Sequence, residues 1–135
     1  MTLMTLFRPL ALAALIGSAS GVPASAQSFD AFDIAAKGLE LGAAGLIATF
    51  RNKTVSVTGS FDRFSDTGYG KFVYVYFQHP DNNGWTVTCG FERDDTAAYD
   101  RFALMQPGTP ISATGRFKTA RDIYFYFELE PCTMN

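Results

Sequence analysis

The stretch KTVSVTGSF, residues 53–61, decides how the rest of the sequence is interpreted. Its residues Val55, Val57, Gly59 and Phe61 alternate with threonine and serine. A period of two is typical of a β-strand that turns one face to a core and the other to solvent. We therefore predict a half-buried strand here, with these alternate positions facing inward.

Four more strands are predicted on the C-terminal side. Residues 71–77 are apolar or aromatic at nearly every position, and residues 85–91, 111–117 and 123–129 alternate as the first strand does. Turn-forming residues separate these segments, and a proline is expected to end the last one. The boundaries are residues 65–68, 80–84 and 119–120, and Pro131.

The N-terminal segment, residues 27–52, follows a helical period instead. We predict a helix over 29–50, capped by Ser28 or Asp30. Its three glycines each cost up to about 1 kcal/mol relative to alanine, so the helix should depend on packing against something else. The predicted buried stripe consists of Phe32, Ala36, Leu39, Ala43, Leu46, Ile47 and Phe50.

A second, shorter helix is predicted between the third and fourth strands. Residues 94–96 (DDT) are typical of a helix start, residues 97–105 continue it, and Pro107-Gly108 ends it. The order of helix, three strands, short helix and two strands indicates an all-β fold with helical additions, the five-stranded Greek-key barrel of the OB type. Residues 53–135 should form this barrel, with the short helix closing one end.

Several segments of the predicted barrel resemble the bacterial OB domains called tRNA-anti-like. The segments are KTVSVTGSF, VTCGF, PGTPISATGRF and FELEPC, and the resemblance covers residues 53–132. It implies an OB barrel, and the family name adds only an analogy to anticodon binding. The matching residues are Val55, Val57 and Gly59, then Val87, Cys89 and Phe91, then Gly108, Gly115 and Cys132.

Cys89 and Cys132 are the two cysteines of the chain. In an exported protein such a pair favours a disulfide, and the alternative is two buried free thiols. A bridge would close a loop of roughly 40 residues and stabilise the domain by on the order of 4 kcal/mol. In the OB topology the third and fifth strands lie side by side, which would bring both cysteines to the same end of the barrel.

Export is predicted from residues 1–26. Arg8 precedes an apolar run over 10–16, and Ala24-Ser25-Ala26 has the form of a cleavage site, as in a secretory signal peptide. A membrane anchor, the alternative, would need roughly 20 apolar residues. Cleavage would leave 109 of the 135 residues in the periplasm or outside the cell, with no further membrane span, 10 basic and 13 acidic residues, and a net charge of −3.

The composition and motifs exclude several classes of function. Mild acidity argues against nucleic acid as the partner, because phosphate binders cluster lysine and arginine. His79 is the single histidine and lies in a polar turn, and neither a nucleophile motif nor a phosphate loop occurs. The sequence therefore predicts no enzyme, no metal site and no cofactor.

The main functional signal is a predicted aromatic face on the outer wall of the barrel. If Val73, Val75 and Phe77 face the core, the residues between them point outward, and the third and fifth strands follow the same alternation. OB-folds commonly bind ligands near their second and third strands. The predicted ligand-binding residues are Phe72, Tyr74, Tyr76, Thr86, Thr88, Tyr124 and Tyr126.

Two interpretations of this aromatic face remain open from the sequence. In the first, cross-strand aromatic pairs only stabilise the sheet, or the N-terminal helix lies over the face. In the second, the face binds an unidentified protein or small-molecule partner, with single-stranded nucleic acid or oligosaccharide as the alternative ligand. A helix that covers the face would remove the binding site, and an open face would strengthen the second interpretation.

Overall fold

A computed structural model describes residues 26–135, which form one six-stranded sheet and two helices. The predicted signal peptide, residues 1–26, lies outside the described residues except for its last residue. In chain order the elements are β1 (Gln27–Asp30), α1 (Ala31–Phe50), β2 (Thr54–Ser65), β3 (Phe72–Phe77), β4 (Thr86–Glu92), α2 (Thr96–Ala103), β5 (Pro110–Arg121) and β6 (Tyr126–Met134).

Strands β2 to β6 form the five-stranded barrel of an OB-fold. They follow the order β2-β3-β4-β6-β5, and β5 pairs back with β2 to close the barrel. Neighbouring barrel strands are antiparallel except β4 and β6, which run parallel with Cys89 opposite Leu129. The predicted Greek-key barrel is therefore confirmed, while β1, which pairs parallel with β2, is an addition that the sequence did not predict.

The predicted alternation of inner and outer faces holds on the strands that form the aromatic wall. Val73 and Val75 on β3 are each 1% exposed, whereas Tyr74 and Tyr76 beside them are only half-buried. Because the side-chain period of a strand is two, a register slip of one residue would have exchanged these faces. The tyrosines of β3 therefore stand on the outer wall, as predicted.

Helix α2 closes one end of the barrel. Its start is the predicted one, since the Asp95 side chain accepts a hydrogen bond from the Ala98 N–H at 3.2 Å. The ring of Phe102 lies with its centroid 4.9 Å from that of Phe91 and 6.2 Å from that of Phe61. The helix thus contributes one aromatic ring to the barrel core.

Helix α1 is broken at Gly42, where φ is +67°, a value that favours glycine. The Asp122 carboxylate accepts a hydrogen bond of 3.0 Å from the Ala43 N–H just after the break. The break shifts the buried face, so the predicted stripe is correct after Gly42 and wrong before it. Before Gly42, three residues of the predicted stripe are exposed: Phe32, Ala36 and Leu39. The residues buried in that half of the helix are instead Ala31, Ile34, Ala35 and Gly38.

The buried face of α1 packs into the barrel core. The ring of Phe50 lies edge-on to Phe127 at 5.1 Å and 6.0 Å from Phe117. Gly38 lies so close to Trp85 that a Cβ at this position would be 2.4 Å from the indole ring. Helix and barrel therefore share one core. Neither of the helices that the structure describes is long and apolar enough to cross a membrane.

The turn between β5 and β6 differs from the sequence prediction. Strand β5 runs through residues 119–120, where a turn was predicted, and the chain reverses over residues 122–125 instead. Ile123 and Phe125, which were predicted to face the core, are consequently 70% and 46% exposed. The alternation does not extend through this turn.

Strand β6 is also longer than predicted at its C-terminal end. Phe127 and Leu129 are fully buried, as expected, but the strand continues through Pro131 to Met134. Beyond Leu129 it pairs with β5 and no longer with β4. Proline is tolerated there because one edge of the strand needs no amide donor.

The contact between Gly38 and Trp85 predicts an unusual response to alanine. We expect Gly38→Ala to lower the free energy of unfolding by about 1–3 kcal/mol because its Cβ would overlap the indole ring, although alanine is normally the better helix former. Ala36→Gly in the same half of α1 is the control, since Ala36 is exposed and should lose about 1 kcal/mol from helix propensity alone. Urea denaturation measures both, and a Gly38→Ala protein more stable than the parent would contradict the packing.

Candidate functional site

Two adjoining cavities lie on the outer wall of the barrel, with volumes of about 340 and 290 Å³. They share Tyr74, Tyr126 and Glu128. We call the combined surface the tyrosine groove, and define it by Tyr74, Tyr76, Thr88, Lys118, Tyr124, Tyr126 and Glu128.

Helix α1 leaves the tyrosine groove open. None of its residues lines either cavity, because the buried side chains of the helix pack into the barrel core instead. Tyr124 is 76% exposed, and Tyr76 and Tyr126 are half-buried. The interpretation in which the N-terminal helix covers the aromatic face is therefore wrong.

Three tyrosine rings form a row along the groove. The Tyr126 centroid lies 6.3 Å from that of Tyr76 and 6.3 Å from that of Tyr124, with the ring planes inclined by 65° and 42°. The Arg63 guanidinium lies 3.9 Å from the centroid of Tyr76. Burial, together with the neighbouring Tyr126, raises the pKa of Tyr76. Each ring of the row has an apolar face and a polar tip.

A lysine and two glutamates form a charge network on one side of the groove. Lys118 Nζ donates to Glu130 Oε2 at 2.7 Å and lies 3.2 Å from Glu128 Oε2. Tyr74 Oη donates to the other oxygen of Glu130 at 2.8 Å. Burial and this hydrogen bond raise the pKa of Tyr74 to about 12, and the bond to Glu130 raises the pKa of Lys118. The carboxylates are thus compensated within the protein.

The loop between β2 and β3 is held at the edge of the groove by Arg93. Its guanidinium pairs with Asp66 and donates to the Tyr69 carbonyl at 2.9 Å, while Tyr99 Oη donates to Asp66 at 2.6 Å. Hydrogen bonds from Tyr99 and Arg93 lower the pKa of Asp66 to about 2. Thr67, in the same loop, therefore has a fixed place in the groove lining.

Most of the predicted ligand-binding residues come together in the groove. Phe72 and Thr86 do not line it: the Lys71 ammonium lies 5.9 Å from the ring centroid of Phe72, and the Thr86 hydroxyl donates to the Gly84 carbonyl at 3.3 Å. The predicted residues that line the groove are Tyr74, Tyr76, Thr88, Tyr124 and Tyr126.

Sequence reasoning missed Lys118 and Glu128 as groove residues. Glu128 follows Tyr126 by two positions, so the alternation that places Tyr126 outward also places Glu128 outward. Lys118 reaches the groove only because β5 lies beside β6 in the closed barrel. The signal for Glu128 was present in the sequence, whereas that for Lys118 required the strand pairing.

The cysteines meet at one end of the barrel, as the OB topology suggested. In the structure both are buried free thiols. Burial, together with a hydrogen bond between the two, raises the pKa of Cys132, and its Sγ donates to the Leu129 carbonyl at 3.3 Å. A Cβ at Gly115 would lie 2.5 Å from that sulfur, so the site needs a glycine. The disulfide itself stays a prediction.

We expect the protein made in an oxidising compartment to carry a bond between Cys89 and Cys132. Closing this loop should stabilise the domain by on the order of 4 kcal/mol relative to the reduced protein. Mass spectrometry of alkylated samples, with and without reductant, measures the bond, and protein made under reducing conditions is the control. Two alkylatable thiols in denaturant without reductant would contradict the prediction.

A larger cavity of about 430 Å³ lies around His79, away from the tyrosine groove. His79 Nδ1 lies 3.0 Å from the carbonyl of the adjacent Pro80, and Asp62 lies 3.9 Å from Arg63. Among the described residues, no three histidine, cysteine or acidic side chains converge as a metal site would require. The tyrosine groove is therefore the better candidate for a functional site.

Comparison with known proteins supports the fold. No protein-family model and no curated protein matches this sequence. Among solved structures, the chain is similar to a lipoprotein from Klebsiella pneumoniae with a proposed nucleic acid-binding role, with a TM-score of 0.59 and 16% identity over 83% of this chain and 93% of that one.

Two further structures are less similar. An OBody bound to hen egg-white lysozyme has a TM-score of 0.44 at 18% identity, over 67% of this chain and 89% of that one. Yeast Stn1 and Ten1 give a TM-score of 0.47 at 13% identity, over 83% of this chain and 64% of that one. The similarity to the Klebsiella structure supports the OB-fold seen in the strand order, and the resemblance to tRNA-anti-like domains stays a prediction.

Proposed function

We propose that this chain is a non-enzymatic OB-fold module that binds a protein segment or a small ligand in the tyrosine groove. The observation that carries the proposal is that the groove stands open on the outer wall while α1 is buried elsewhere. Exposed apolar patches of this kind commonly mark interaction sites. The groove also lies across β3, β4 and β6, the second, third and fifth strands of the barrel, and the second and third form the usual ligand face of an OB-fold.

We further propose that the module acts after export. The support is the signal-peptide pattern of residues 1–26 and the two buried cysteines, whose thiols lie within hydrogen-bond reach of each other. The similar Klebsiella structure is described as a lipoprotein, which fits an exported protein. As a periplasmic or secreted protein, the module would meet its ligand outside the cytoplasm.

Substitution of Tyr124 tests the groove. Tyr124→Ala should weaken ligand binding about 3- to 10-fold, since one aromatic contact contributes roughly 0.5–1.5 kcal/mol beyond its buried area. Stability should change by no more than about 0.5 kcal/mol because the side chain is exposed. The measurement is an NMR titration with three fragment probes: indole, methyl glucoside and acetyl-lysine amide.

Tyr69→Ala is the matched control, since Tyr69 is 83% exposed and does not line the groove. It should leave both affinity and stability unchanged. At least one probe should shift the backbone amides of β3, β4 and β6 around the groove. If every probe shifts amides elsewhere, or if Tyr124→Ala binds as the parent does, the groove is not the site.

Single-stranded nucleic acid is the second candidate ligand. The proposed nucleic acid-binding role of the Klebsiella lipoprotein and the row of tyrosines favour it, because bases stack on aromatic side chains. The acidic balance of residues 27–135 and the carboxylates of Glu128 and Glu130 oppose it.

Oligo(dT) affinity as a function of salt separates the two candidates. We expect no binding, or weak binding that is nearly independent of salt, because the groove cations Lys118 and Arg121 are offset by the carboxylates of Glu128 and Glu130. A nucleic-acid binder would lose affinity steeply, with a log–log slope of about −0.7 per phosphate contacted. Tight oligo(dT) binding with such a slope would make nucleic acid the ligand.

A further inference from the structure

One buried hydroxyl in the tyrosine groove has no partner. Thr88 is 3% exposed, and its Oγ1 makes no hydrogen bond with any described residue. It lies on β4 between Tyr76 of β3 and Glu128 of β6. An unpaired buried hydroxyl costs free energy that a valine of nearly the same shape would avoid. Stability of the barrel alone therefore does not explain a threonine at this position.

We infer, on the basis of the proposed function, that Thr88 is the hydrogen-bond anchor for a neutral, hydroxyl-rich ring ligand, an oligosaccharide. A ligand hydroxyl would satisfy the Thr88 Oγ1 when the chain lies in the groove. The atom has almost no accessible surface, and the rings of Tyr76 and Tyr126 approach each other across β4. Binding therefore includes a rotation of one of these rings away from Thr88.

The charges of the groove favour a neutral ligand. Glu130 already accepts hydrogen bonds from Lys118 and Tyr74, and Glu128 lies 3.2 Å from the same lysine. Arg121 is a second cation of the groove lining. A polyanion would gain no net attraction, because the two cations are offset by the two carboxylates. A cation would have to compete with Lys118 for both of them. A neutral ligand meets neither obstacle.

The row of tyrosines favours a ligand made of repeated rings. Successive centroids are 6.3 Å apart from Tyr76 to Tyr126 to Tyr124, so the groove offers three aromatic rings in sequence, of which Tyr76 also carries the Arg63 guanidinium over one face. A pyranose has an apolar C–H face that packs on an aromatic ring and a rim of hydroxyl groups. Those hydroxyls can donate to Glu128 and pair with the Thr88 hydroxyl.

The test is calorimetric titration of the full chain with cellohexaose and with chitohexaose. At least one should bind, and Thr88→Val should weaken that binding about tenfold, the value of one hydrogen bond. Thr88→Val should also raise the melting temperature by about 4 °C, since it removes an unpaired hydroxyl. Thr86→Val is the control: Thr86 lies two residues away on the same strand, and its hydroxyl already has a partner, so affinity should not change.

Several results would overturn the inference. These are no binding of either hexaose at about 10 mM, equal affinity of Thr88→Val and parent, or a lower melting temperature for Thr88→Val, which would mean that the hydroxyl is paired within the protein. Tighter, salt-dependent binding of oligo(dT) would also overturn it. Tight, salt-dependent oligo(dT) binding would overturn the proposed function as well. After any of the other results, the proposed function survives if Tyr124→Ala still weakens binding of a fragment probe, and falls only if that effect is missing too.

Discussion

The rest of the structure depends on one contact, the packing of the buried face of α1 against the barrel core. A helix with three glycines and a break is marginal alone, so tertiary packing must stabilise it. That packing comes from Phe50 in the core, from the close approach of Gly38 to Trp85, and from Asn83, whose side-chain amide donates to α1 at 2.8 Å. Burial of one aromatic side chain contributes roughly 1.5–3 kcal/mol. Because the apolar face of α1 is buried in this packing, it is not available to cover the tyrosine groove.

The outer wall of the barrel around the tyrosine groove is aromatic, yet it exposes polar groups to water together with its rings. Tyrosine supplies an apolar ring with a polar tip, and burial keeps the hydroxyl of Tyr74 protonated and able to donate to Glu130. Lys118 balances the carboxylates between the rings. The wall therefore has polar groups at its surface and little net charge, and under the proposed function shape and hydrogen bonding would select the ligand more than net charge.

The sequence predicted the barrel and most of the aromatic wall because the alternation of side chains is a local property of a strand. The prediction failed where the chain turns or a helix breaks and no local sequence pattern marks the change. Across residues 122–125 the only turn-favouring residue is Asp122, so the apolar alternation was extended through a turn. At Gly42 the sequence predicts only a weak helical position, whereas its positive φ shifts the buried face of α1. Lys118 was missed because only the pairing of β5 with β6 brings it to the groove.

The same helix that leaves the groove open also supports its rim. Tyr124 and Phe125 have φ values of +67° and +53°, which cost L-residues about 1 kcal/mol each or more. Such a conformation persists only where its surroundings fix it. Here the ring of Phe125 packs 5.6 Å from that of Trp85, and Asp122 accepts a hydrogen bond from α1. Trp85 in turn lies against Gly38. The indole therefore couples the docking of the helix to the turn that carries Tyr124 into the groove, so core packing and the proposed binding surface are not independent.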